Sequence, residues 1–266
     1  MTTFPKVVRI ESAGYCNFRC KHCPVGIHGN KRQLMSFKTF KEIFDRLPEV
    51  PSVVVFYHGG EPLLNRELED LIKYAKEKGV KHTVFNSNTS LLTVERARKL
   101  SAAGLDEMRV SFDGSSPEEN DAIRIGGNFW KQAPIVKESA KYLTITVYNV
   151  KFDGDLKTAK YLRDYFGNEV RYRTEEARVW AHEDKSSQPA TGAVYCKDLW
   201  ETFSILSNGD VVTCCEDLLG DYTYGNVLQE MPLDIWNRMK ELRDRFVQKD
   251  YPELCKHCWV VTGARL

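Results

Sequence analysis

Three cysteines in a short run, Cys16-Asn-Phe-Arg-Cys20-Lys-His-Cys23, and a second group at Cys196, Cys214, Cys215, Cys255 and Cys258 are the residues of this chain best suited to chemistry. None of its eight cysteines lies between positions 24 and 195. Thiols buried merely as small hydrophobes would not divide in this way, and disulfides do not persist in a reducing compartment. The thiolate is a soft ligand for zinc or for iron–sulfur clusters. A structural zinc site closes with four ligands, whereas Cys16, Cys20 and Cys23 offer three, with only His22 and His28 as local alternatives. Three thiolates on a [4Fe–4S] cluster leave one iron open to bind a further molecule.

Polar motifs recur at intervals after this triad. His58-Gly59-Gly60-Glu61-Pro62 combines glycines, which let backbone approach closely, with a carboxylate able to accept from an ammonium group. Asn86-Ser87-Asn88-Thr89 places an amide at a turn. Ser111-Phe112-Asp113-Gly114 and the run from Asn120 to Gly127, containing Arg124, complete the series. A guanidinium is a good bidentate partner for a carboxylate. Taken singly, each motif is also an ordinary turn or a solvated charge.

Taken together they resemble the radical S-adenosylmethionine superfamily. The stretch Glu-Ser-Ala-Gly-Tyr-Cys-Asn-Phe-Arg-Cys-Lys-His-Cys-Pro, from Glu11 to Pro24, is similar to that family's cluster motif. The resemblance implies that Cys16, Cys20 and Cys23 hold a [4Fe–4S] cluster whose open iron takes the amino and carboxylate groups of S-adenosylmethionine. One electron then yields a 5′-deoxyadenosyl radical that removes a substrate hydrogen atom. It further implies cofactor contacts at Gly59, Gly60, Glu61, Pro62, Asn88, Ser111, Asp113 and Arg124. Thr89 stands where the family usually has Gly, so a positive φ there would be costly.

The second cysteine group resembles the SPASM or twitch extension of the same family, which carries an auxiliary [4Fe–4S] cluster. By that resemblance Cys196, Cys214, Cys255 and Cys258 are its ligands, and zinc is the competing occupant of a four-thiolate set. The Gly-x-Val-x-x-Cys hairpin from Gly209, the following Asp234-Ile235-Trp236 and the terminal Cys255-x-x-Cys258 are similar to family members that dehydrogenate aminocyclitols. Strand alternation points Cys215 away from Cys214.

These residues need a scaffold that gathers loop ends. Short β-branched runs at 7–11, 52–57, 80–85, 107–112, 143–150 and 169–174 alternate with helical stretches at 37–47, 65–78, 93–103, 117–140 (broken at Gly126-Gly127) and 155–166. Such alternation indicates right-handed βαβ units and a parallel sheet. Six strands fit a partial (β/α)6 TIM-like barrel in an α/β fold, with an open doubly wound sheet as the other arrangement of the same pattern. Both put chemistry at the strand carboxyl ends, where the motifs lie. Asn208-Gly209 predicts a hairpin of 202–207 with 210–214, followed by a helix over 232–249. The expected organisation is a barrel over 1–180, a linker at 181–195 and an auxiliary-cluster unit over 196–266.

Composition narrows the partners. The 266 residues are 42% hydrophobic and 28% charged, with a net charge of +1. There is no basic excess to bind nucleic acid and no apolar run long enough for a transmembrane helix; the start lacks a secretory signal. The expectation is a cytoplasmic enzyme acting on a small-molecule substrate, with an external one-electron donor of flavodoxin or ferredoxin type implied by the resemblance. It removes a hydrogen atom from a small polar metabolite, oxidising an alcohol carbon to a ketone with the auxiliary cluster as electron acceptor. No leader-recognition segment is read before the barrel, which favours a metabolite. The alternatives are peptide crosslinking or epimerisation, with a leader-binding domain on another chain, and a non-catalytic metal-binding module. Tyr57, Tyr148, Arg171, Arg173 and the 181–193 loop are candidates for substrate contact. No feature sets the oligomeric state.

Overall fold

The computed structural model describes residues 3–29, 33–177, 180 and 192–263. Six strands alternate with helices: β1 (Val7–Ile10), β2 (Val53–Val55), β3 (His82–Ser87), β4 (Glu107–Ser111), β5 (Ile145–Lys151) and β6 (Arg171–Glu176). All pair in parallel in sequence order. This is the partial (β/α)6 barrel expected from the alternation. Val8, Ile10, Val54, Phe56, Phe85, Met108, Val110, Ile145 and Val147 point to the helices and form the main apolar core. Because side chains alternate across a strand, the polar residues between them occupy the opposite, inner face.

The C-terminal strands are not a free-standing hairpin. β7 (Thr202–Ile205) pairs in parallel with β1, so Arg9 lies opposite Ser204. β8 (Asp210–Val212) and β9 (Thr223–Asn226) follow antiparallel, giving one nine-stranded sheet, β6-β5-β4-β3-β2-β1-β7-β8-β9. β9 has no readable signal, since Gly and Asn, both depleted in strands, make up half of Thr-Tyr-Gly-Asn.

Three helices differ from expectation. The one expected over 65–78 runs Leu68–Glu77, because Asn65 spends its amide bridging the carbonyls of Ser12 and Met35, both at 2.8 Å. The stretch 155–159 is not helical; that helix is Lys160–Phe166. The helix expected over 232–249 is split into Pro232–Arg238 and Lys240–Val247 at Met239. Most of the expected linker, 181–191, lies outside the described residues.

Candidate active site and metal centres

The Cys16–Cys23 loop leaves the carboxyl end of β1 and is packed by backbone. Cys23 N–H donates to Cys20 O (3.2 Å), and Arg19 and Lys21 N–H donate to the carbonyls of Ile125 (2.9 Å) and Ile123 (3.0 Å). Phe18 N–H lies 3.4 Å and Asn88 Nδ2 3.6 Å from Cys16 Sγ. A Cβ on Gly26 would come within 2.7 Å of Cys20 O, so only glycine fits beneath the loop.

The other strand-end motifs converge on it. Glu61 N–H donates to Tyr15 O (2.9 Å). Its buried carboxylate accepts from Leu63 N–H (3.0 Å), Ser87 Oγ (2.8 Å) and Asn88 N–H (2.7 Å), stapling the end of β2 to the end of β3. Those donors partly answer the burial that pushes its acid up from 4.5. Pro62 opens a short 3-10 turn. Asn88 Nδ2 donates to Asn17 (2.9 Å) and its Oδ1 accepts from Ser90 N–H (2.9 Å). Thr89 keeps the left-handed turn at φ 63° despite its branched side chain, held by Ser87 Oγ at 2.9 Å and Gln132 Nε2 at 3.1 Å.

Ser111 ends β4. Arg124 and Asp113 form a buried ion pair at 2.8 Å. Burial works against the guanidinium charge, and Asp113 with Cys20 outweighs it, keeping Arg124 charged beside the thiols. Asn149, not singled out from the sequence, donates to Phe112 O (2.9 Å) and Gly114 O (3.0 Å) and holds this loop shut. Replacing Asp113 by Ala leaves Arg124 buried without its carboxylate, at an expected cost of about 3–5 kcal/mol. Urea unfolding measures it; an unchanged midpoint would show the pair to be dispensable.

At the far end of the sheet, Cys196, Cys214, Cys255 and Cys258 line one small cavity together with Asp198, Glu216 and Phe246. Cys196 and Cys258 each precede a short helix. Cys215 is not part of this lining: its thiol is pushed up by burial, with Asp198 and Glu216 adding to the effect and Arg9 opposing it. Asp217 organises the intervening loop, accepting from Asp221 N–H (2.9 Å) and Tyr222 N–H (3.1 Å). Two buried contacts join the ends of the chain. Glu11 accepts from Gly59 N–H (3.2 Å) and from Ser207 N–H (3.1 Å), and His58 Nε2 meets Asp217 O at 2.8 Å.

The donor sets fit iron–sulfur ligation. Cys16, Cys20 and Cys23 share one loop, and the four C-terminal thiols stand around a shared space. Burial pushes Cys20 and Cys255 from 9.0 up to about 12, with Arg124 opposing it at Cys20 and Cys196 adding to it at Cys255. Iron binding displaces those protons. In the cluster-free chain the folded pKa exceeds the unfolded one, so stability is fully retained below about pH 9 and falls above it by roughly 1.4 kcal/mol per pH unit for each such thiol. Urea midpoints of cluster-free protein should fall as the pH rises from about 9 to about 11; a flat profile would exclude it.

A model of the radical SAM superfamily matches residues 10–155, more than half of the 266, and an iron–sulfur cluster-binding SPASM model matches residues 196–259. This chain is a radical S-adenosylmethionine enzyme. Its cofactors are S-adenosylmethionine and iron–sulfur clusters, and the non-catalytic reading is set aside. The AdoMet-dependent heme synthase of Nitratidesulfovibrio vulgaris is 31% identical over 120 residues, 45% of this chain and 32% of that one; the match thus spans about a third of the curated relative. The fold is similar to BtrN, solved with AdoMet and 2-DOIA, at TM-score 0.66 and 18% identity over 97% of this chain and 94% of that one. It is also similar to Streptococcus suis SuiB bound to precursor peptide SuiA, at TM-score 0.64 and 16% identity over 97% and 72%. Among the described residues no helix is long and apolar enough to cross a membrane.

Proposed function

We propose that this enzyme oxidises a small polar metabolite in the cytoplasm, removing a hydrogen atom from a carbon that bears a hydroxyl and leaving a ketone. The observation that carries this reading is the likeness of fold to BtrN, solved with AdoMet and 2-DOIA, which takes in the regions of both cysteine sets. Bound at Cys16, Cys20 and Cys23, a [4Fe–4S] cluster with S-adenosylmethionine supplies hydrogen-atom abstraction, and a cluster at Cys196, Cys214, Cys255 and Cys258 supplies an electron acceptor. Gly59, Gly60, Glu61, Pro62, Asn88, Ser111, Asp113 and Arg124 would bind and orient the S-adenosylmethionine. Arg124 would meet its carboxylate, with Asp113 holding the guanidinium in place. Glu61 acts chiefly by shaping the turn, because its carboxylate is already used within the fold. Loss of a hydrogen atom, then one electron and one proton, balances an alcohol to a ketone. An external flavodoxin or ferredoxin would reduce the first cluster.

The test is anaerobic incubation with carbon-deuterated polyols and hydroxy acids, followed by mass spectrometry of 5′-deoxyadenosine and of the ketone. Label must appear in 5′-deoxyadenosine. Cys255→Ala should cut ketone formation at least about tenfold, more than 1.4 kcal/mol, while cofactor cleavage persists. Equal loss of both would remove the acceptor role. SuiB, with its bound precursor peptide, favours a second reading, peptide modification. Label transfer from a deuterated peptide, and from no metabolite, would establish that reading instead.

A further inference from the structure

The inner face of the barrel carries a layer of polar groups that the cofactor machinery does not use. Registers place them on one face: Arg9 lies opposite Val55 and Ser204, Val55 opposite Val84, Asn86 opposite Arg109, and Tyr148 opposite Arg173. Arg9 Nε, Asn86 Oδ1 and Ser204 Oγ are buried and have no hydrogen-bond partner among the described residues. Buried polar atoms are ordinarily paired, and orphans gathered on one concave face indicate a ligand that completes them.

The charges say what kind. Arg109 is matched by Glu107 at 3.0 Å and Arg173 by Glu175 at 2.7 Å. Arg9 has no carboxylate partner among the described residues; its guanidinium donates to Tyr57 O at 3.3 Å and lies 5.0 Å from the Tyr57 ring centre. Accessibility grades inward, from 58% of the Arg173 side chain through 26% for Arg109 to 9% for the residue Arg9. Arg173 and Arg109 both flank the Tyr148 ring, at 5.3 and 5.5 Å. The layer therefore runs from an open cationic rim to a buried guanidinium with no carboxylate in ion-pair contact, Asp198 acting on it only from beyond that distance. A guanidinium stays ionised under all physiological conditions, and a buried charge is costly until an opposite one meets it.

We infer that the substrate is anionic: a hydroxyl-bearing metabolite whose carboxylate or phosphate is held by Arg9, with Asn86 Oδ1 accepting from a substrate hydroxyl and Ser204 completing the set. This rests on the metabolite-oxidising function proposed above and names its substrate class. Arg9 and Asn86 are then specificity-determining residues.

The reconstituted full chain, with clusters and S-adenosylmethionine bound, is titrated calorimetrically with D-gluconate, D-glucose 6-phosphate and D-glucose. At least one anion should bind saturably and at least about tenfold more tightly than glucose, and the tighter of the two tells carboxylate from phosphate. Arg9→Gln should weaken that anion by about ten- to a hundredfold, as for loss of a hydrogen bond to a charged group, with Arg9→Lys recovering part. Asn86→Asp adds a like charge to the face and should also weaken it, which keeps the test decisive if Arg9→Gln does not fold. Glucose binding as tightly as both anions, no anion binding at all, or wild-type affinity in a folded variant would overturn the inference. Reductive formation of 5′-deoxyadenosine and label transfer by the wild type are followed in parallel. If label moves from neutral alcohols only, the anion preference fails and the oxidation stands; if label moves from no metabolite, the oxidation itself fails.

Discussion

Cys20→Ala should form no detectable 5′-deoxyadenosine, and iron should drop from about eight to about four per chain, since each cubane holds four. Cys20 is buried between Cys16, Cys23, Arg124 and Asp113, which are a cation, a carboxylate in an ion pair and thiols already committed, while His22, the local alternative donor, faces Asp113 with Nε2 at 3.8 Å. The Cys20 backbone stays anchored by Cys23 N–H and the close approach of Gly26. The variant should therefore fold with a cavity the size of one sulfur and keep its C-terminal cluster. Chromatography of anaerobic reactions and iron analysis check both parts. Persistent cofactor cleavage would refute the ligand assignment.

Gly60→Ala should disable the same centre without touching a ligand. A Cβ there would lie 2.0 Å from Ala13 O and 2.7 Å from Tyr15 O. Both are backbone atoms of the segment leading into Cys16, so no side chain can rotate away. Gly60 is absent from the positive-φ glycines; room, and not backbone conformation, demands it. Relief requires moving the cysteine loop away from β2, against the hydrogen bond from Glu61 N–H to Tyr15 O. An overpacked site of this kind costs about 3 kcal/mol, which for a chain of this size lowers Tm by roughly 6–12 °C. Cluster absorbance after reconstitution and the melting temperature measure it. Wild-type values for both would mean that the turn accommodates a methyl group.

Legibility differed by physical scale. The six parallel strands were readable because β-branched runs and helix-stopping glycines such as Gly79 and Gly104 are local. Helix starts were less so, since Asn65 has good capping chemistry but spends it on Ser12 and Met35, far away in sequence. The Arg9 layer was missed for the same reason. A lone arginine in a four-residue strand reads as a solvated charge, and only register with Ser204, Val55 and their neighbours puts it on the inner face. Of the candidates for substrate contact, the Tyr57 ring lies 5.0 Å from the Arg9 guanidinium and the Tyr148 ring 5.3 Å from that of Arg173. Arg171 occupies the same strand face two residues before Arg173, and the 181–191 part of the candidate loop lies outside the described residues.

By itself the sequence determined the chemistry of the first cysteine set, because ligand type and close spacing are properties of a few neighbouring residues: three thiols in one loop can ligate a cubane whatever surrounds them. Tertiary structure alone decided how the two cysteine sets relate. β7 adds to β1, Glu11 bridges Gly59 and Ser207, and His58 reaches Asp217, so both sites stand on one sheet. Strand order and register come from the burial of whole faces, which no short stretch of chain records. That same burial left Arg9 on the inner face of the barrel with no carboxylate in ion-pair contact among the described residues.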